Sequence, residues 1–138
     1  MDRFPSAIAV ATLLLAGCND GPKVVKVVGT LTYKGQPVTN AILQFRPEKG
    51  RQTWAQTDEQ GRFKVNYDKT QDGAVLGKHK VWLEFRPQTA AEQDAVMQGK
   101  RPAMSKEMRV LFDKYGAEKS TLTVDITPDT KDLKLDLE

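Results

Sequence analysis

The stretch Val28-Gly29-Thr30-Leu31-Thr32-Tyr33-Lys34-Gly35-Gln36-Pro37-Val38, followed by Asn40-Ala41-Ile42-Leu43-Gln44-Phe45, decides the fold. Val25, Val27, Leu31 and Tyr33 fall on one face of an extended chain and Lys26, Thr30 and Thr32 on the other, the period-two pattern of a half-buried strand. Lys34-Gly35-Gln36-Pro37 then supplies turn chemistry, because glycine tolerates positive φ and proline fixes its own. Alternation resumes with Ala41, Leu43 and Phe45 against Ile42, Gln44 and Arg46. Two such strands joined by a tight turn predict an antiparallel β protein.

Working outward, the same period recurs. Arg51 to Thr57 is a more polar strand, and Asp58-Glu59-Gln60-Gly61 turns into Phe63-Lys64-Val65-Asn66-Tyr67, which predicts a hairpin. In Lys78 to Arg86, His79, Val81, Leu83 and Phe85 oppose Lys80, Trp82, Glu84 and Arg86. After Pro87 the period changes to helical. Thr89-Ala90-Ala91-Glu92 is a capping box with Gly99 as its stop, and Met108, Leu111, Phe112 and Tyr115 behind Ser105 form one helical stripe. Two strands finish the chain, marked by Leu122, Val124 and Ile126 and by Leu133, Leu135 and Leu137. Seven short strands predict an all-β sandwich over residues 24–138, with a helical insertion at about 88–119 before the last two strands.

Ahead of this domain lie a short polar start with Arg3 and an apolar run from Ala7 to Ala16. That run is far below the ~20 residues a transmembrane helix needs, and it fits an export signal. It ends in Leu15-Ala16-Gly17-Cys18, which resembles the lipobox of bacterial lipoproteins. The resemblance implies that residues 1–17 are removed as a signal peptide and that Cys18 becomes an acylated N-terminus, carrying chains such as palmitate. Residues 18–23 would be the tether. Two acyl chains already give stable anchoring, so the expected location is the periplasmic or extracellular side of a bacterial membrane. Asn19 and Asp20 leave inner and outer membrane open.

Composition narrows the function. Charged residues make up 28% and hydrophobic ones 39%, as in an ordinary soluble domain. The net charge of +3 is too small to argue for nucleic acid, and an exported protein seldom meets it. Cys18 is the single cysteine, so once it is modified the domain is stabilised by packing and not by a disulfide.

The strand and turn pattern, with Thr57-Asp58-Glu59-Gln60-Gly61-Arg62-Phe63 and Gly77-Lys78-His79-Lys80-Val81, resembles the carboxypeptidase regulatory-like domain, a transthyretin-like (prealbumin-like) sandwich. Lys114-Tyr115-Gly116 and Ser120-Thr121-Leu122-Thr123-Val124 are similar to the end of small bacterial lipoproteins built on it. The resemblance covers nearly all of residues 24–138 and implies a seven-stranded Greek-key topology. It also implies an accessory or binding module without catalytic residues or cofactor.

Candidate chemistry is sparse. His79 is the single histidine and sits on the inward face of its strand, where a structural role is expected. Hydroxyisourate hydrolase, which shares the prealbumin sandwich, uses several histidines and a C-terminal Tyr-Arg-Gly-Ser, whereas this chain reads Leu137-Glu138 there. Nothing is spaced for zinc. Asp68-Lys69-Thr70-Gln71-Asp72-Gly73 copies part of a calcium loop, but Thr70 and His79 stand where ligating carboxylates or amides belong. No metal is therefore expected.

Trp54 shares a strand face with Gln52 and Gln56, and Trp82 shares one with Lys80, Glu84 and Arg86. Exposed on one sheet, the two indoles would make a flat platform for sugar rings or a partner's apolar anchor. The helical residues 90–115 are expected instead to fold across that face and bury them, since their apolar stripe needs a partner. Lys100, Arg101, Lys106 and Arg109 make the start of that insertion basic, as expected of a solvated face. The function expected is a membrane-anchored, non-catalytic sandwich binding an unknown envelope protein or glycan. The alternative is a small-ligand or metal carrier or a hydrolase built on Asp58, Asp68, Asp72 and His79.

Overall fold

A computed structural model describes residues 21–138. Its strands are β1 (Val24–Val25), β2 (Val28–Tyr33), β3 (Gln36–Pro37), β4 (Ala41–Pro47), β5 (Thr53–Gln56), β6 (Arg62–Lys64), β7 (Ala74–Val75), β8 (Gly77–Phe85), β9 (Thr123–Ile126) and β10 (Asp132–Leu137). Helices α1 (Ala90–Met97) and α2 (Lys106–Lys114) lie between β8 and β9.

All of these strands except β1 and β7 form two open sheets that face each other. One is antiparallel, in the order β5-β4-β8-β9. In the other, β10 runs parallel to β2 along one edge, while β6 and β3 pair antiparallel with successive parts of its other edge. The alternation read from the sequence becomes the inside of this sandwich. Val27 and Leu31, Ala41, Leu43 and Phe45, Val81 and Leu83, Val124 and Ile126, and Leu135 and Leu137 form one buried cluster. Phe45 and Phe63 meet across the layers with ring centroids 6.2 Å apart.

The first predicted strand is interrupted. Val24–Val25 pairs with Ala74–Val75 in a small separate ladder before the chain enters the main sheet at Val28. The tether therefore reaches the sandwich beside the start of β8. At Gly29 the inner face has no room for a side chain, because a Cβ there would fall on the Leu133 carbonyl and the Phe63 ring.

The hairpin expected over 51–67 is a corner between sheets. Its turn forms as read: the Asp58 carboxylate accepts the N–H groups of Gln60 and Arg62, each at 2.9 Å, and Gly61 takes φ 73°. The arms then part, because β5 pairs with β4 and β6 with β2, and they meet again at a single bridge between Trp54 and Asn66. Period two gives which residues face inward but not which sheet a strand joins.

Both helices start where the sequence places them. Thr89 and Glu92 make the reciprocal capping box of α1, and the Ser105 hydroxyl accepts the Met108 N–H at the start of α2. α1 buries none of its residues. α2 does not lie across the indole face, which corrects the expected covering by the helical stripe; Trp82 is buried as expected, and Trp54 is not. Its Leu111 enters the shared core, Met108, Phe112 and Tyr115 pack around it, and Phe112 meets Phe85 edge-on at 5.8 Å. The helix plugs the end of the sandwich where β2 finishes, forming a cleft with Tyr33, Pro37 and Val38. The returning chain lines the β8 edge that β9 leaves free: Leu83 N–H donates to Tyr115 O and Val81 N–H to Leu122 O.

Candidate binding face

With α2 between the layers, the outer face of β5-β4-β8 stays uncovered by it. The register sets Trp54, Gln44 and Trp82 in one row across three strands, and Arg46 and Lys80 in the next, where Arg46 also meets Gln52. Trp54 is 38% exposed, while Trp82 is only 5% exposed. The two indoles are thus on one sheet, but one of them is not available to a ligand. Arg46 lies over Trp82, its guanidinium carbon 4.9 Å from the ring centroid, in the geometry of a cation–π contact.

A chain of polar contacts fixes the side chains between the indoles. Arg46 Nε donates to Gln52 Oε1 (3.5 Å), and Gln52 Nε2 donates to Gln44 Oε1 (2.9 Å). Gln44 Nε2 reaches Glu84 Oε2 at 3.3 Å, and the Trp82 indole N–H donates to Glu84 Oε1 at 3.0 Å. Lys80 is held at the rim, its Nζ donating to Ala117 O at 3.1 Å. The result is an exposed indole beside a pre-ordered layer of amides, one carboxylate and two cations. Such a surface can stack a flat apolar ring face and meet polar groups around its edge.

The opposite outer face is different in kind. There Lys64 pairs with Asp72 at 3.2 Å, Arg62 with Asp58 at 3.3 Å, and Thr32 Oγ1 donates to Asp136 at 2.7 Å. That face carries no tryptophan and reads as solvated surface.

The four residues of the carrier or hydrolase alternative are not brought together. His79 is fully buried beside Phe45, its Nε2 2.8 Å from Val75 O. A carbonyl can only accept, so Nε2 carries the proton, and Nδ1 faces the interior with no partner among the described residues. Asp58 sits at the β5–β6 corner and Asp68 beyond the other end of β6. Asp68 accepts from the N–H groups of Thr70 and Gln71, and Asp72 pairs with Lys64. Among the described residues no three His, Cys, Asp or Glu side chains gather to hold a metal ion.

These carboxylates are structural, and that has a pH consequence. Hydrogen bonds from the Arg62 and Gln60 N–H groups hold Asp58 below its usual 3.8, those from the Thr70 backbone and hydroxyl do the same for Asp68, and the Arg101 guanidinium does so for Asp113. Between the native and ordinary values the unfolded chain binds more protons than the native one. Their stabilisation is therefore whole above about pH 5 and lost as pH falls through the lowered native values. The urea midpoint should be lower at about pH 3 than at about pH 6; an unchanged midpoint would refute this assignment.

The lipobox-like Leu15, Ala16, Gly17 and Cys18 lie outside the described residues. Among the described residues no helix is long and apolar enough to cross a membrane. No protein-family model, curated protein or solved structure matches this chain. The sequence reading singled out Trp54 and Trp82 but missed Gln44 and Arg46, which join them. Alternation had already turned both outward; what was missing was the register that sets β4 between the two tryptophan strands.

Proposed function

We propose that the chain is a bacterial lipoprotein, tethered through acylated Cys18, whose β-sandwich is a non-catalytic binding module of the cell envelope. The observation that carries the binding role is Trp54, exposed above the ordered Arg46–Gln52–Gln44–Glu84 chain. The four mutually hydrogen-bonded side chains beside this solvent-facing indole have already lost rotamer freedom that binding would otherwise cost. The anchor rests on the sequence around Cys18, and the entry of Gly21–Lys23 at one pole of the domain agrees with a tether there.

The topology supports the finer fold reading. Strand order β6-β2-β10 against β5-β4-β8-β9, with the first and last long strands parallel, is the arrangement expected of a prealbumin-type Greek key. The short β1, β3 and β7 are additions at its rim.

Two measurements test the proposal. Cys18→Ser should leave a folded domain that moves from the membrane pellet to the soluble fraction; unchanged pelleting would remove the anchor. A photo-cross-linking residue at position 54 in intact cells should capture an envelope component, with the same residue at Thr30 on the opposite face as control. Equal capture from both faces would refute the assignment of the site.

A further inference from the structure

We infer that this face takes an acidic saccharide, with a sugar ring laid on Trp54 and a carboxylate of the same glycan held by Arg46 and Lys80. The inference rests on the reading of the face as a binding surface and adds the chemistry of its ligand.

Charge balance separates the two outer faces. On the β2 side, the cations Arg62 and Lys64 are each paired with an aspartate. On the tryptophan side, Arg46, Lys78 and Lys80 have no ion pair among the described residues. Glu84 keeps its charge, but its two oxygens are engaged by the Gln44 amide and the Trp82 indole N–H and by no cation. A shallow depression of about 260 Å³ lies between Arg46, Pro47, Lys78, Lys80 and Thr123. One carboxylate, Glu48, lines it, and Lys78 faces Asp125 across the β8–β9 register. Arg46 and Lys80 are the two cations with no acid opposite them: they face each other in the register, Lys80 also faces Thr123, and Arg46 donates to Gln52.

Arg46 is already shaped for an anion. Its plane is held on Trp82 and its Nε on Gln52, while neither Nη has a partner among the described residues. A guanidinium fixed in this way presents a planar pair of donors, the geometry that suits a carboxylate. Trp54 and Lys80 are two strands and two residues apart, roughly 12 Å at ordinary sheet spacings. A ligand that reaches both must have a flat ring at one place and a negative charge some way along. The amides of Gln44 and Gln52 between them suit hydroxyl and acetamido groups.

The test uses the full-length protein in detergent and two probes of equal length. One is the neutral tetramer of N-acetylglucosamine; the other alternates N-acetylglucosamine with N-acetylmuramic acid and so carries carboxylates. Tryptophan fluorescence and calorimetry should show the acidic probe bound about tenfold more tightly, the size of one charge-assisted hydrogen bond. That preference should collapse in about 1 M salt. Trp54→Ala should abolish binding of both probes. Arg46→Gln with Lys80→Gln should remove the preference for the acidic probe.

Equal affinity for the two probes would overturn the acidic assignment, as would a single-stranded oligonucleotide or anionic-lipid vesicles competing fully. If neither saccharide binds while position 54 still cross-links an envelope protein in cells, the saccharide inference falls and the binding face stands. If neither occurs, both fall.

Discussion

Phe45→Ala should cost about 3–5 kcal/mol of stability, seen as a lower urea midpoint with little change in slope. Phe45 is fully buried at the centre of β4 and contacts both layers. Its ring lies 6.2 Å from Phe63 in the opposite sheet and 6.4 Å from His79 on the neighbouring strand. Truncation removes the area it withdraws from water and leaves a cavity between two hydrogen-bonded sheets, which cannot close up easily. Phe45→Leu fills most of that volume and should cost well under half as much. A loss below about 1 kcal/mol for the alanine variant would mean that the layers are not packed through this ring.

Gly29→Ala comes next, at about 3 kcal/mol, the upper end for overpacking by one methyl group. The added carbon would meet the Leu133 carbonyl and the Phe63 ring together. The ring can turn aside, but the carbonyl belongs to β10 and moves only with its strand. Relief therefore requires β10 to shift from β2. Hydrogen exchange should show amides of 132–137 losing protection more than those of β4 and β8 in this variant; uniform loss would place the strain elsewhere.

Much of this fold was legible because alternation is a local property. Leu31, Leu43, Phe45, Val81, Leu83, Ile126 and Leu135 all face inward as read, and Thr89 and Ser105 open their helices. The misreadings concern pairings between distant segments. The Asp58–Gly61 turn was recognised from its residues, yet nothing local says that its arms enter different sheets. The stripe of Met108, Leu111, Phe112 and Tyr115 announced a buried side, but not whether it would meet the outside of a sheet or the gap between two.

The binding face shows the same division. Two tryptophans were visible, but not that one would be buried, nor that Arg46 would reach it from the strand between them. An arginine two residues from Gln44 looks like ordinary solvated charge until β4 is known to separate β5 from β8. His79 was read correctly as interior, since it continues the Val81, Leu83 and Phe85 side of its strand.

The parallel ladder between β2 and β10 joins residues about a hundred positions apart, as the Thr32–Asp136 hydrogen bond records. Contact order this high makes folding slow, because a very large loop must close before its ladder repays the entropy. A chain emerging amino-terminus first holds Val27 and Leu31 ready long before Leu135 and Leu137 exist to cover them. For the exported lipoprotein proposed above, that delay would keep the polypeptide threadable during translocation and leave its inner faces uncovered until the last strand has crossed.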